Sequence, residues 1–218
     1  AVAYPSDLTA IASAADGLYA VFRASPHAIS LLRNIPGTNT AFPWLRVILA
    51  GSVTDEADHH IYQQLISETD VLPDLLKMAR VRCDVVVVDT PPGLGPITTA
   101  VLRGSQHVVI PLQCEPLALQ TTPQILRAIQ EIVSTNEDLT LDGILLMMYE
   151  QGNPASDRVV DYVRKHLPAN ILFDQPVPRT FAAADAFAAG QPVVLREPSD
   201  AAAQAYVNVA TILADRFA

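Results

Sequence analysis

The chain has 218 residues, 50% of them hydrophobic and 17% charged, which excludes a disordered polymer and is enough for one sizeable α/β core. Its net charge of −9 opposes non-specific attraction to a phosphate backbone, which depends on Lys and Arg releasing counterions. The longest apolar runs, VVVV and ILLMMY, fall far short of the roughly 18 to 20 residues that span a bilayer, and AVAYPSDLTAIASAADG lacks the basic region of a secretory signal.

Along the chain, the first 40 residues are irregular and RNIPGTNTAFPW reads as a loop. LRVILAG (45–51) is predicted as a strand, and a helix follows from about Thr54 through HHIYQQLI. VLPDLLKMARV is a second helix and leads into the strand CDVVVVD, whose four β-branched residues, Val85 to Val88, end on Asp89 and a Pro-Pro-Gly turn. PITTAVLRGS reads as helix and HVVIPLQC (107–114) as strand. TTPQILRAIQEIVST (121–135) places Ile125, Ile129, Ile132 and Val133 at helical spacing, with Thr-Thr-Pro as its start signal. LDGILLMMYE (141–150) is a strand, and SDRVVDYVRKHL (156–167) is an amphipathic helix capped by Ser156. NILFDQPVP is a short strand and AAAQAYVNVATILADRFA a long closing helix.

Continuous valine and isoleucine strands are buried on both faces, and their alternation with helices implies parallel βαβ units. The expected fold is a single-domain, doubly wound α/β sheet, mostly parallel, with helices on both faces. Cys83 and Cys114 read as two buried thiols of a reducing compartment, and no Cys/His cluster has zinc spacing. His59 and His60 are adjacent, so on a helix they do not converge on one ligand.

In open parallel sheets ligands bind beyond the carboxyl ends of the strands. That rule selects Asp89, the end of HVVIPLQCE and the loop after NILFDQPVPR. Asp89 is either a strand-ending turn residue or a carboxylate that serves a metal–phosphate pair. The glycines of GLG (93–95) come too late after the strand, and in too incomplete a pattern, for a dinucleotide site.

The segments CDVVVVDTPPGLG, HVVIPLQCEPLAL, LDGILLMMYE, VPRTFAAADAF and GQPVVLREPSDAAAQAY, in this order, resemble the ParA/MinD family of partition ATPases; GLYAVF (17–22) resembles a further family segment. The similarity covers roughly residues 17 to 214 and implies a P-loop NTPase-like fold. It implies that Asp89 holds Mg²⁺ through water and serves catalysis, and that Thr90, Pro91, Pro92 and Gly93 form a switch sensing the γ-phosphate. Pro178 and Arg179, followed by Thr180, fall in the loop that contacts adenine. ATP and Mg²⁺ are the implied cofactors, and ATP-driven homodimerisation, a ParB-like or other activating protein partner and a cytoplasmic location with no membrane association follow.

The departures carry equal weight. The family's Walker A loop, K-G-G-V-G-K-T-T, supplies backbone N–H groups and lysines to the phosphates, and nothing in the 218 residues matches it. AVAYPSDLT resembles the family's second-strand segment with its aspartates replaced around Ala3 and Tyr4. The single ParA-like domain 1–218 is therefore expected to lack the family's first strand and P-loop. Either a segment carrying them precedes Ala1, or the sheet is rearranged and the protein is a non-catalytic positioning relative. Gly152 and Ala182 stand where the family has arginines that serve DNA binding. Arg158, Arg164 and Lys165 remain as possible DNA contacts, so weak DNA binding is the expectation.

Overall fold

The computed structural model describes residues 38–39, 44–47, 60, 63–64, 66, 70–81, 83–134 and 136–217. The expectations for residues 1–37, including GLYAVF, the replaced aspartates around Ala3 and Tyr4, most of LRVILAG and the start of the helix from Thr54, fall outside these. The chain divides into two compact units.

One unit comprises residues 4–106 and 131–139. It contains a short antiparallel pair, β1 (Thr38–Asn39) and β2 (Arg46–Val47), and helices α1 (Val71–Arg80) and α2 (Pro96–Gly104). In α1, Leu72, Leu75 and Leu76 recur at helical spacing and are buried, while Lys77 and Arg80 sit in the last turn, where positive charge complements the helix dipole. α2 begins on Pro96 at its first position, where the missing N–H costs nothing, and buries Ala100, Val101 and Leu102. The two helices meet at Gly104, whose added Cβ would lie 2.6 Å from the Pro73 Cα. The Asn136 amide donates to the carbonyls of Leu102 (3.0 Å) and Ser105 (2.9 Å), satisfying acceptors that the end of α2 leaves open.

The other unit comprises residues 1–3, 107–130 and 140–218. Its sheet pairs β3 (His107–Gln113) in parallel with β4 (Thr140–Met147). Parallel pairing demands a long crossover, and α3 (Pro116–Val133) provides it. Val108 stands opposite Leu141 and Val109 opposite Gly143, so Asp142 is the extra residue of a bulge. Residues 172–178 run beside β4 through bridges at Ile144–Leu172 and Tyr149–Pro178. Helices α4 (Pro154–His166), α5 (Phe181–Ala188), α6 (Val193–Arg196) and α7 (Ala201–Phe217) complete the unit. Ala202, Ala205 and Val209 of α7 pack on Leu145, Phe173 and Val177. Each fully buried valine, leucine or phenylalanine contributes roughly 1.5–3 kcal/mol, and the small alanines let the helix lie close to the layer beneath. At the start of the strands, His107 Nδ1 lies 3.0 Å from the buried Asp142 Oδ2. Arg216 Nη1 donates to the Asp142 carbonyl and its guanidinium stands over the Phe173 ring, while Phe217 contacts the His107 ring.

Several expectations need correction. Val85 to Val88 form no regular element and are exposed, Val87 at 88%. A valine run becomes a strand only where a neighbour pairs its backbone and covers its faces, and no described residue does so here. Cys83 is consequently exposed, whereas Cys114 is buried as expected. α3 begins at Pro116, five residues before the Thr-Thr-Pro signal, and carries Pro123 inside it. α4 is capped by Asn153, whose side chain accepts from the Ala155 N–H at 3.0 Å. Ser156 instead points inward and donates to the Cys114 carbonyl. NILFDQPVP forms a short 3-10 turn, Ala169–Ile171, and isolated bridges rather than a continuous strand. Among the described residues, no helix is long and apolar enough to cross a membrane.

Candidate functional site

The turn that follows Asp89 is built by its neighbours. Gly93 takes φ +83°, a conformation that only glycine adopts without strain. The Thr98 hydroxyl donates to the Pro91 carbonyl at 3.2 Å, drawing the Pro-Pro-Gly turn onto the start of α2. The Gly95 carbonyl accepts from the Thr99 N–H at 3.0 Å. Asp89, Pro91 and Pro92 are exposed and Thr90 is half-buried. Among the described residues the Asp89 carboxylate has no hydrogen-bond or ion-pair partner.

The Pro178–Thr180 loop belongs to the other unit and is tied down at every residue. Pro178 bridges to Tyr149, and the Arg179 N–H donates to the Tyr149 carbonyl at 2.8 Å. Arg179 Nε lies 3.0 Å from Glu150 Oε1, and its Nη2 lies 3.3 Å from Glu115 Oε1 and 3.8 Å from the Met148 sulfur. Glu150 Oε2 accepts from Asn153 Nδ2 at 2.8 Å, linking the loop to the cap of α4. The Thr180 hydroxyl accepts from the Ala183 N–H at 3.1 Å and donates to Asp200 Oδ1 at 2.9 Å. Asp200 Oδ1 also accepts from the Ala202 N–H, so one hydroxyl–carboxylate pair caps both α5 and α7.

Met148, at the end of β4, takes φ +54°. A side chain in this left-handed conformation is uncommon, and such strain is concentrated at functional positions. The Tyr149 hydroxyl donates to Asp157 Oδ1 at 2.8 Å, and that bond holds the phenol above its ordinary pKa. Burial pushes the Cys114 thiol up to about 11.

The three cations considered for DNA all lie on α4 and are exposed. Arg158 and Lys165 are seven positions apart and share a face, whereas Arg164 turns aside to donate to the Asp174 carbonyl at 3.2 Å. Among the described residues, no group of three or more His, Cys, Asp or Glu gathers as a cation site. Glu150, Asn153 and Asp200 escaped the sequence reading, whereas Glu115 closes HVVIPLQCE, which the strand-end rule had selected. Glu150 closes the predicted strand 141–150, so the same rule reaches it as well.

Residues 28–141 match a family model described as an AAA domain. The chromosome partitioning protein ParA of Caulobacter vibrioides is 34% identical over 126 residues, 57% of this chain and 47% of that protein. The chain spans about half the length of the curated relatives it matches first. Among solved structures, a cobyrinic acid a,c-diamide synthase of Mycobacterium smegmatis with bound ADP and magnesium is 30% identical. It superposes with a TM-score of 0.50 over 62% of this chain and 56% of its own. Apo McdA of Cyanthece gives 0.62 at 16% identity, over 82% and 74%. The α/β fold is thus P-loop NTPase-like, and the chain belongs to the ParA/MinD family of P-loop ATPases.

Proposed function

We propose that the chain is the switch and base-recognition part of a ParA-like ATPase that positions DNA or other cellular cargo. In this reading ATP drives homodimerisation, and a ParB-like or other protein partner triggers hydrolysis to ADP and phosphate. The observation that carries it is the 34% identity over 126 residues to a chromosome partitioning protein. The ordered motifs from Asp89 to Asp200 support the same reading. A bacterial, cytoplasmic protein of chromosome or plasmid segregation is the setting that fits, with at most weak DNA contact through Arg158 and Lys165.

The Asp89 carboxylate fits a hydrated cation, because it is exposed and has no partner among the described residues. It would hold Mg²⁺ through water, together with the nucleotide. Mg²⁺ there would neutralise charge developing on the β- and γ-phosphate oxygens. Thr90 to Gly93 form the turn that responds to the γ-phosphate, held at its far side by the Thr98 bond to Pro91. Pro178 and Arg179 flank the base, and Thr180 fixes the loop they belong to.

The family holds the phosphates with a glycine-rich, lysine-bearing loop, and the 218 residues contain no such sequence. The decisive measurement is ATP turnover by the natural gene product, read through whatever precedes Ala1. Turnover stimulated by its protein partner, and reduced about a hundredfold in Asp89→Asn, is the expected result. The 218 residues alone are expected to hydrolyse no ATP. A natural product that neither binds nor hydrolyses ATP would refute the reading.

A further inference from the structure

Arg179 is the residue on which the loop turns, and its surroundings are unusual for a nucleotide ligand. Where arginine holds a phosphate, it normally does so through two N–H groups of one guanidinium edge. Here Nε and Nη2 of that edge are already directed at Glu150 and Glu115. One positive charge stands between two negative ones, so the cluster carries net negative charge and repels a polyphosphate. The three anchors also come from separate elements: Glu115 follows β3, Glu150 follows β4, and Asn153 caps α4 while holding Glu150. The left-handed Met148 sits inside this network and directs its sulfur at the same guanidinium. Backbone strain at a side-chain-bearing residue persists only where its surroundings over-determine it.

We propose that Glu115 and Glu150 are positioning residues that lock Arg179 as a strut, so that the Pro178–Thr180 loop selects the purine base and leaves the phosphates to other groups. This rests on the reading of the chain as an ATPase. The strut couples the base loop to the ends of both strands, so a base seated on the loop is felt at β3 and β4 together.

The test uses the natural full-length protein and two ligands: a fluorescent ATP analogue and inorganic tripolyphosphate, which has phosphates but no base. In Glu115→Gln/Glu150→Gln, both changes being isosteric, the first at an exposed and the second at a half-buried position, ATP is expected to bind about fivefold more weakly, the factor that two solvent-accessible ion pairs of ordinary strength supply. Tripolyphosphate is expected to bind as before. Arg179→Gln should reproduce the loss, and the triple variant should lose no more than either, because all three residues form one coupled unit. Unchanged ATP affinity in the double variant, with a wild type that binds ATP, overturns the strut alone. Tighter binding of both ligands would show Arg179 to be a restrained phosphate ligand and would overturn it too, as would equal weakening of both. A wild type that binds neither ligand removes the ATPase reading and the strut with it.

Discussion

Gly104 is where α1 and α2 approach each other, and replacing it with alanine sets two opposed effects against each other. Within a helix, alanine is favoured over glycine by about 1 kcal/mol, because glycine loses more backbone freedom on folding. The added methyl, however, would lie 2.6 Å from the Pro73 Cα, 3.1 Å from its Cβ and 3.2 Å from Leu76 Cδ1. Carbon atoms pack best at about 3.5–4.0 Å, so α1 must retreat by about 1 Å. The nearest atom is backbone and cannot rotate away. That retreat loosens the buried Leu72, Leu75 and Leu76 together. Overpacking of this kind costs about 1–3 kcal/mol. The net expectation is a loss of about 1 kcal/mol, which lowers Tm by about 2–4 °C in a chain of this size. Urea denaturation followed by far-UV circular dichroism should show a lower midpoint with an unchanged slope. A midpoint equal to or above that of the unsubstituted protein would mean the close approach of α1 and α2 does not exist.

Asn136 offers a second test: Asn136→Ala should cost about 1 kcal/mol by removing donors from two carbonyls, and Asn136→Asp more, since a carboxylate would face those same oxygens. Thermal unfolding ranks the pair, and equal Tm values would count against the cap. At α4, Asn153→Ala should cost about 1 kcal/mol as the loss of a helix cap, measured by the same assay. The two thiols should separate in a titration with a disulfide reagent: exposed Cys83 reacts at once and buried Cys114 only on unfolding. Because folding raises the Cys114 pKa from 9.0 to about 11, the folded state holds its proton longer than the unfolded chain. Its contribution to stability is therefore intact below pH 9 and falls progressively as pH rises toward 11, which a pH series of melts would detect.

Periodicity and capping chemistry made β3, β4, α1, α2, α4 and α7 legible from the residues alone. These segments either bury one stripe, as at Leu72, Leu75 and Leu76, or pair continuously, as from Val109 to Gln113. The valine run failed because strand formation depends on a partner that no local pattern encodes. The same composition that predicts burial leaves Val85 to Val88 exposed where no described residue pairs with them. Ser156 misled for a related reason: serine and asparagine both suit a cap, and position decided between them. Pro154 fixes the first turn, so Asn153 caps it and Ser156 falls on the inward face. Of the candidate site, Asp89 and the loop of Arg179 came from the strand-end rule and from motif order. The ion pairs that Glu115 and Glu150 make with Arg179 did not, because both are remote from it in sequence and meet it only through the pairing of residues 172–178 with β4.

The clasp at the start of the strands has a bearing on how the protein is made. His107 and Asp142 are translated before Arg216 and Phe217, the last residues of α7, which close over them. Until then, Leu145, Phe173 and Val177 lack the alanine-lined cover that α7 supplies. A sheet waiting for so distant a segment folds slowly and exposes apolar surface on the ribosome. Synthesis halted before α7 should therefore yield a chain that depends on chaperones, with its sheet formed late or not at all.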